Sequence, residues 1–157
     1  MIKLAYCDVS DLNLADAYKL LPKTRQKKVD RFRFEKDKKL SAGAYLILDK
    51  LLKEENINEP IFKTGKYGKA YISNCENIHF NLSHSGKLVA CAISDRDVGV
   101  DIEFNDPTID LNIAKHYFYN SEYKRIMNSQ NPSDEFFKFW VLKESYMKYT
   151  GLGFNLP

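Results

Sequence analysis

A six-residue segment in the second half of the chain constrains the fold more than any other feature. Residues 98–103, Val-Gly-Val-Asp-Ile-Glu, alternate apolar and polar side chains, which is the pattern of a strand with one buried face. The three β-branched residues are expected on the buried face, so Asp101 and Glu103 project side by side from the other face. Taken alone, the two acidic residues also fit the solvent-exposed face of an edge strand, where charges discourage aggregation.

A helix about forty residues later carries a third carboxylate on a face that is expected to be buried. At 3.6 residues per turn, Glu144 falls on the arc of Trp140 and Met147. An i,i+4 pair with Lys148 is worth only about 0.3–0.5 kcal/mol, which explains a buried acid poorly. Three carboxylates without a His or Cys cluster are typical of a site for Mg²⁺ or Mn²⁺. The sequence therefore predicts a metal site with three ligands: Asp101, Glu103 and Glu144.

The composition is that of a globular protein without a membrane segment. Of the 157 residues, 44% are hydrophobic and 29% are charged, which is ordinary for one compact domain. Cys7, Cys75 and Cys91 are odd in number and lack CxxC spacing, so neither structural disulfides nor a thiolate metal site is expected. The start of the chain does not have the pattern of a signal peptide, and no apolar run reaches membrane length. A cytoplasmic location is predicted.

The periodicity predicts short strands and amphipathic helices, which is an α+β class. Strands are expected at residues 2–6, 70–72, 78–82, 88–93 and 98–103. Helices are expected at residues 36–54, at 111–118, from Asn120 or Ser121, and at 136–149 with Gly151 as C-cap. A turn is predicted at residues 83–86, where Gly86 allows the chain to reverse.

Three motifs resemble those of one enzyme family. They are Phe-Asn-Leu-Ser-His-Ser-Gly at residues 80–86, Gly-Val-Asp-Ile-Glu at 99–103 and Trp-x-x-Lys-Glu-Ser-x-x-Lys at 140–148. In this order and near this spacing they resemble the 4′-phosphopantetheinyl transferases of the surfactin (Sfp) type. The resemblance runs from about residue 22 to 153. It implies Mg²⁺-dependent transfer of 4′-phosphopantetheine from coenzyme A to a serine of an acyl or peptidyl carrier protein, in fatty acid, polyketide or nonribosomal peptide synthesis.

The resemblance also implies an architecture of two lobes. Each lobe is a small antiparallel sheet packed with helices, and a pseudo-twofold axis relates the lobes. Residues 1–97 would form the N-terminal lobe that binds coenzyme A, and residues 98–157 a partial C-terminal lobe with the metal site. Family members continue with further strands past the position of Gly153. The second lobe is therefore expected to be incomplete and the Trp140 face uncovered, which would lower solubility or activity. A monomer is expected.

The resemblance assigns contacts with coenzyme A to residues scattered along the chain. Nine basic residues lie between Lys23 and Lys39, and Tyr-Gly-Lys-Ala at residues 67–70 resembles the Tyr-Gly-Lys-Pro of the family. Glu144 would also deprotonate the attacking serine hydroxyl, and Asp101 and Glu103 would act beside it through the metal. The implied coenzyme A contacts are Arg25, Lys28, Lys39, Lys69, Ser83, His84 and Lys148.

Two other interpretations remain open at the level of sequence. The basic run fits a nucleic-acid-binding module, whose binding would fall steeply with salt and ignore Mg²⁺. A catalytically inactive, truncated relative would keep coenzyme A contacts without transferring the group. The resemblance favours the enzyme, with a carrier protein and coenzyme A as partners and with neither nucleic acid nor a membrane.

Overall fold

Eleven helices and strands make up the part of the chain that the structure, a computed structural model, describes, which is residues 1–153. The strands are β1 (Ile2–Asp8), β2 (Phe62–Thr64), β3 (Ala70–Ile72), β4 (His79–Ser85) and β5 (Leu88–Ser94). The helices are α1 (Leu14–Leu20), α2 (Lys23–Asp30), α3 (Glu35–Glu54), α4 (Asn112–Tyr117), α5 (Asn120–Met127) and α6 (Pro132–Thr150). The predicted α+β class is confirmed.

The main sheet has three antiparallel strands in the order β1-β5-β4, and β2 pairs with β3 in a second, two-stranded sheet. The central strand β5 is buried from Val89 to Ser94, as expected for a strand with a neighbour on both edges. Helix α3 covers one face, where Leu48 and Leu52 pack with Cys91 and Ile93. The apolar stripe of residues 36–54 therefore predicted the main helix of the core to within one residue.

The hairpin between β4 and β5 differs from the prediction. Ser85 pairs with Leu88, so the turn consists of Gly86 and Lys87, and Gly86 has a φ of 60°. Residues 83–85, predicted as part of the turn, belong to β4. The sequence prediction was wrong because a run of polar residues is typical of a loop. Here the polar side chains belong to a strand and bind the 98–104 segment, which is distant in sequence.

The segment at residues 98–104 lies against the sheet without joining it. Val98 and Val100 pack on Ala90 and Ala92, which is the face opposite α3 because neighbouring residues of β5 point to opposite sides. The predicted alternation is confirmed, but the predicted strand is not, since this segment is assigned to no strand. Its backbone N–H groups at positions 100, 102 and 104 bind side chains of β4 instead of a neighbouring backbone.

Helix α6 begins four residues before the predicted start. The Asn131 side chain accepts a hydrogen bond from the Asp134 N–H, and Pro132 occupies the first turn, both of which favour a helix start. At the other end Gly151 adopts the left-handed conformation with φ 68°, which confirms the predicted cap.

The Trp140 side of α6 is packed against α4 and α5. The Trp140 ring lies 5.7 Å from that of Phe136 and 6.2 Å from that of Phe118, in a cluster that also buries Ala114 and Ile126. This face is therefore partly covered, since Phe137, Trp140 and Met147 are each half-buried. The large exposed side chains of α6 are instead Leu142, Tyr146 and Tyr149.

Three elements escaped the sequence prediction, namely α1, α2 and β2. Each has eight residues or fewer, too few for a periodic pattern to stand out. Helix α2 lies within the basic run and buries only Val29. Within residues 1–153, none of the helices combines the length and the apolar character that crossing a membrane requires.

Candidate functional site

Asp101 lies at the centre of a polar cluster between β4, the 98–104 segment and α6. Its Oδ1 accepts hydrogen bonds from Ser83 Oγ at 2.8 Å and from Lys148 Nζ at 2.5 Å. Lys148 Nζ also donates to Ser83 Oγ at 2.8 Å. The Asp101 side chain is only 2% exposed, and its Oδ2 is buried without a hydrogen-bond partner. A buried carboxylate oxygen without a partner is costly, so this atom is a candidate ligand atom.

Glu103 is held two residues further along the same segment. Ser85 Oγ donates to its Oε2 at 2.8 Å, and this residue is half-buried. Asp101 and Glu103 therefore project toward the same side, as the alternation predicted, and a serine of β4 binds each of them.

Glu144 comes to this cluster from α6 because Gly99 lets the helix approach the segment. A Cβ atom at position 99 would overlap the Ser145 carbonyl oxygen and would lie 2.8 Å from the Tyr149 Cα. Burial raises the pKa of Glu144, the negative charge of Asp101 raises it further, and Lys148 partly opposes them. The three predicted carboxylates therefore interact electrostatically.

The donors fit a hard divalent cation, but they do not form a closed ligand set. Carboxylate oxygens are the ligands that Mg²⁺ and Mn²⁺ prefer, and the bare Asp101 Oδ2 suits such an ion. Yet no group of three or more His, Cys, Asp or Glu side chains among residues 1–153 could hold a metal as arranged. The ammonium group of Lys148 lies on Asp101 instead.

A cavity of about 350 Å³ opens beside this cluster. Both the 67–70 loop and α6 contribute to its wall, so it joins residues that are distant in sequence. Its lining includes three predicted site residues, Lys69, Glu144 and Lys148, together with Tyr67, Gly68, Ala70, Phe80, Asn81, Leu82, Met147, Gly151 and Gly153.

Lys69 is tied to the C-terminal end of α6. Its Nζ donates to the Tyr149 carbonyl at 2.7 Å and lies 3.8 Å from Asp97 Oδ1. Desolvation lowers the pKa of Lys69, and Asp97 partly restores it. This ammonium group therefore caps the helix and also faces the cavity, where it would attract an anion.

A second cluster of polar side chains lies between α2 and α3. Arg25 Nη2 donates to the Ser41 carbonyl at 2.7 Å, and the guanidinium stacks over Tyr45 at 5.6 Å. Arg25 Nε and Ser41 Oγ are both buried without hydrogen-bond partners. Burial lowers the pKa of Arg25, and desolvation with the nearby Arg25 charge lowers the pKa of Lys28. Ser41 was missed because a lone serine in a helix carries no sequence signal.

The remaining predicted residues do not line the 350 Å³ cavity. Lys39 donates to the Ser10 carbonyl at 3.0 Å and pairs with Glu35 at 3.5 Å. His84 is exposed in β4 and by alternation points to the face opposite Ser83 and Ser85. The structure thus brings Lys69 and Lys148 to Glu144, and it leaves Arg25, Lys28, Lys39 and His84 outside that cavity.

Sequence reasoning also missed Asn81 and Ser85, which bind the acidic segment. A signal for them existed. Residues 81, 83 and 85 are all polar and alternate with Leu82 and His84, which is the rhythm of a strand with a polar face.

Comparison with known proteins covers both halves of the chain. A family model described as 4′-phosphopantetheinyl transferase, N-terminal, matches residues 8–96, and one described as the 4′-phosphopantetheinyl transferase superfamily matches residues 97–157. The chain is similar to the 4′-phosphopantetheinyl transferase gsp of Aneurinibacillus migulanus, with 43% identity over 121 residues, 73% of this chain and 49% of that protein.

Two further relatives show the same pattern. The 4′-phosphopantetheinyl transferase Sfp of Bacillus subtilis (strain 168) is 41% identical over 98 residues, 61% of this chain and 43% of that protein. The L-aminoadipate-semialdehyde dehydrogenase-phosphopantetheinyl transferase of Candida glabrata is 32% identical over 155 residues, 92% of this chain and 60% of that protein. The chain thus spans about half the length of these curated relatives, and it belongs to the 4′-phosphopantetheinyl transferase superfamily.

Proposed function

We propose that the protein transfers the 4′-phosphopantetheine group of coenzyme A to a serine hydroxyl of an acyl or peptidyl carrier protein, with Mg²⁺ as cofactor. The chain belongs to a family of such transferases, and one structural observation supports the proposal most directly. Two lysines and a carboxylate with a raised pKa line one cavity, next to a buried aspartate with an unpartnered oxygen. Such a site can bind a diphosphate and accept a proton.

The two lysines would bind the diphosphate of coenzyme A. Lys69 and Lys148 both line the cavity, so both ammonium groups are available to an anion there. Each hydrogen bond to a charged group is worth about 1.5–3 kcal/mol. Lys148 would exchange its hydrogen bond with Asp101 for one with a phosphate oxygen.

Glu144 is the proposed base. Its raised pKa makes this carboxylate a stronger proton acceptor than an ordinary glutamate. It would take the proton of the carrier serine as the serine oxygen bonds to phosphorus. The phosphorus–oxygen bond of the diphosphate breaks, and 3′,5′-adenosine diphosphate leaves.

Asp101, Glu103 and Glu144 would hold the cation. When bound, Mg²⁺ supplies charge neutralisation at the phosphates and polarises the phosphorus. The donor set and the bare Asp101 Oδ2 support this assignment. The closed ligand set would require Lys148 to leave Asp101.

The basic groups outside the cavity would bind the phosphoadenosine end of coenzyme A. Arg25 Nε and Ser41 Oγ support this assignment, since both are buried atoms without partners. Lys28, Lys39 and His84 complete the proposed contacts. We assign residues 1–97 and 98–157 to two lobes, and we propose a cytoplasmic monomer.

Mass spectrometry of carrier proteins tests the function. The protein is incubated with coenzyme A, Mg²⁺ and a panel of apo carrier proteins, and at least one carrier should gain the mass of phosphopantetheine. A parallel reaction in EDTA should leave every carrier unmodified. If no carrier is modified while a characterised transferase modifies the whole panel, the proposed activity is wrong.

A further inference from the structure

Three polar side chains of β4 replace a neighbouring strand for the acidic segment. Asn81 Oδ1 accepts the Val100 N–H at 3.0 Å. Ser83 Oγ accepts the Ile102 N–H at 3.3 Å, and Ser85 Oγ accepts the Phe104 N–H at 3.0 Å. The acceptors occupy every second position of β4 and the donors every second position of the segment. We call these three side chains, Asn81, Ser83 and Ser85, the β4 ladder.

The backbone bonds fix the direction of the serine protons. A backbone N–H can only donate, so each serine oxygen accepts, and its single proton is free for another group. Ser83 gives it to Asp101 Oδ1 and Ser85 gives it to Glu103 Oε2, both at 2.8 Å. Ser83 therefore binds the Asp101 carboxylate and the backbone N–H of Ile102. Ser85 binds the Glu103 carboxylate and the backbone N–H of Phe104.

This arrangement decides which Asp101 oxygen is available. Ser83 and Lys148 both bind Oδ1, and Oδ2 is buried without a partner. If the Ser83 proton were absent, Lys148 alone would hold Oδ1. The serine and the lysine thus together select the oxygen that remains free for another ligand.

Ser83 has no hydrogen-bonding capacity left for a substrate. Its hydroxyl accepts from Ile102 N–H and from Lys148 Nζ and donates to Asp101, which is the full complement of a hydroxyl group. The residue is also 5% exposed. Its side chain is therefore occupied within the protein.

We propose that Ser83 and Ser85 are positioning residues, which orient the carboxylates of Asp101 and Glu103 for a divalent cation. This inference rests on the metal site of the proposed function. The hydroxyl protons reach the carboxylate oxygens directly, so the serines act on the ligands and need no contact with the metal. Outer-shell partners of this kind typically change metal affinity about 10- to 100-fold when they are removed.

Mn²⁺ is the probe for the test, because electron paramagnetic resonance measures its free concentration directly. The protein is titrated as wild type and as the variants Ser83→Ala, Ser85→Ala and Ser85→Thr. Both alanine variants should bind Mn²⁺ about 10- to 100-fold more weakly. Ser85→Thr keeps a hydroxyl and should restore affinity to near the wild-type value.

Ser129→Ala is the matched control. The Ser129 hydroxyl also accepts a backbone N–H, from Asn131 at 3.1 Å, and holds no carboxylate in the described structure. This variant should bind Mn²⁺ like the wild type. If Ser85→Ala also keeps wild-type Mn²⁺ affinity, the serines only tether the backbone and the positioning role is overturned.

Amide hydrogen exchange followed by NMR separates tethering from positioning. Loss of an acceptor should speed exchange at Ile102 in Ser83→Ala and at Phe104 in Ser85→Ala. Unchanged exchange at both amides would overturn the β4 ladder itself. If the wild-type protein binds no Mn²⁺, the proposed metal site is overturned, and this inference with it. If the wild type binds Mn²⁺ and the alanine variants bind it equally well, only this inference is overturned.

Discussion

The buried carboxylate of Asp101 is tolerated because two neighbours compensate its charge. Lys148 and Ser83 both donate to its Oδ1, and hydrogen bonds to a charged group are stronger than neutral ones. Glu144, by contrast, has no such hydrogen-bond donor within residues 1–153, and burial and the charge of Asp101 raise its pKa. At the scale of single residues the site therefore combines one stabilised carboxylate with one that favours a proton.

Glu144→Gln keeps the shape of the side chain and removes its charge. Transfer of phosphopantetheine should fall by about 10²- to 10⁴-fold, the usual contribution of a general base, as measured by mass spectrometry of the carrier. Glu76→Gln, an exposed residue in the loop before β4, is the matched control and should transfer normally. A Glu144→Gln protein with the wild-type rate would show that Glu144 is not the base.

The same substitution should alter stability in a pH-dependent way. Because the raised pKa means that the folded protein binds this proton more tightly than the unfolded chain, wild-type stability falls as pH rises from 4.5 through the raised value. Glutamine does not titrate, so Glu144→Gln should be as stable as the wild type, or more stable, at neutral pH. Urea unfolding at pH 4 and pH 7 measures the difference.

Lys148→Met should weaken both the fold and the binding of coenzyme A. Removing the ammonium group leaves a buried carboxylate without one of its donors, which costs about 1–3 kcal/mol, as measured by urea unfolding. Calorimetry should show weaker coenzyme A binding. Lys138→Met lies on the same helix with a side chain that is 69% exposed, and its partner Glu135 keeps Arg125 at 2.6 Å, so this variant should change neither property. Normal coenzyme A binding by Lys148→Met would exclude Lys148 from the proposed site.

Among the elements, the contact between the 98–104 segment and α6 depends on the absence of a side chain at Gly99. The helix backbone at Ser145 and Tyr149 occupies the space that a Cβ would need. This contact brings Glu144 and Lys148 to Asp101, so the close approach of the two elements is a condition for the site.

Gly99→Ala should therefore separate the segment from the helix. Overpacking of this kind costs about 1–3 kcal/mol, and thermal unfolding should show the loss. Mn²⁺ binding should weaken as well, because Asp101 and Glu144 move apart. Gly65→Ala is the control, since its Cβ would meet the Lys69 carbonyl at an ordinary 3.4 Å. Equal stability of the two variants would mean that the helix is not held at this contact.

For the whole molecule, the proposed site links the binding of metal and coenzyme A. The cation would contact both the carboxylates and the diphosphate, so each ligand should increase the affinity for the other. Calorimetry should show that coenzyme A binds more tightly in Mg²⁺ than in EDTA. Equal affinity in both buffers would contradict a bridging cation. A salt-sensitive interaction with nucleic acid that ignores Mg²⁺ would instead support the basic module.

Much of the fold was predictable because it depends on local pattern. The apolar stripe of α3, the continuous apolar run of β5 and the glycine cap of α6 are each encoded within a few neighbouring residues. The three motifs also predicted the family, which the comparisons confirmed. The short helices α1 and α2 could not be predicted in this way, because their stability comes from packing on α3.

The sequence by itself determined the main helices and strands, the family, and the side of the 98–103 segment on which the acidic residues lie. Only the tertiary structure decided how that segment is held and what its carboxylates contact. Ser83 and Asp101 are 18 residues apart, and Asp101 and Lys148 are 47 apart. Periodicity reports on neighbours within a few turns of helix or strand, whereas these bonds form only after the sheet and α6 have packed.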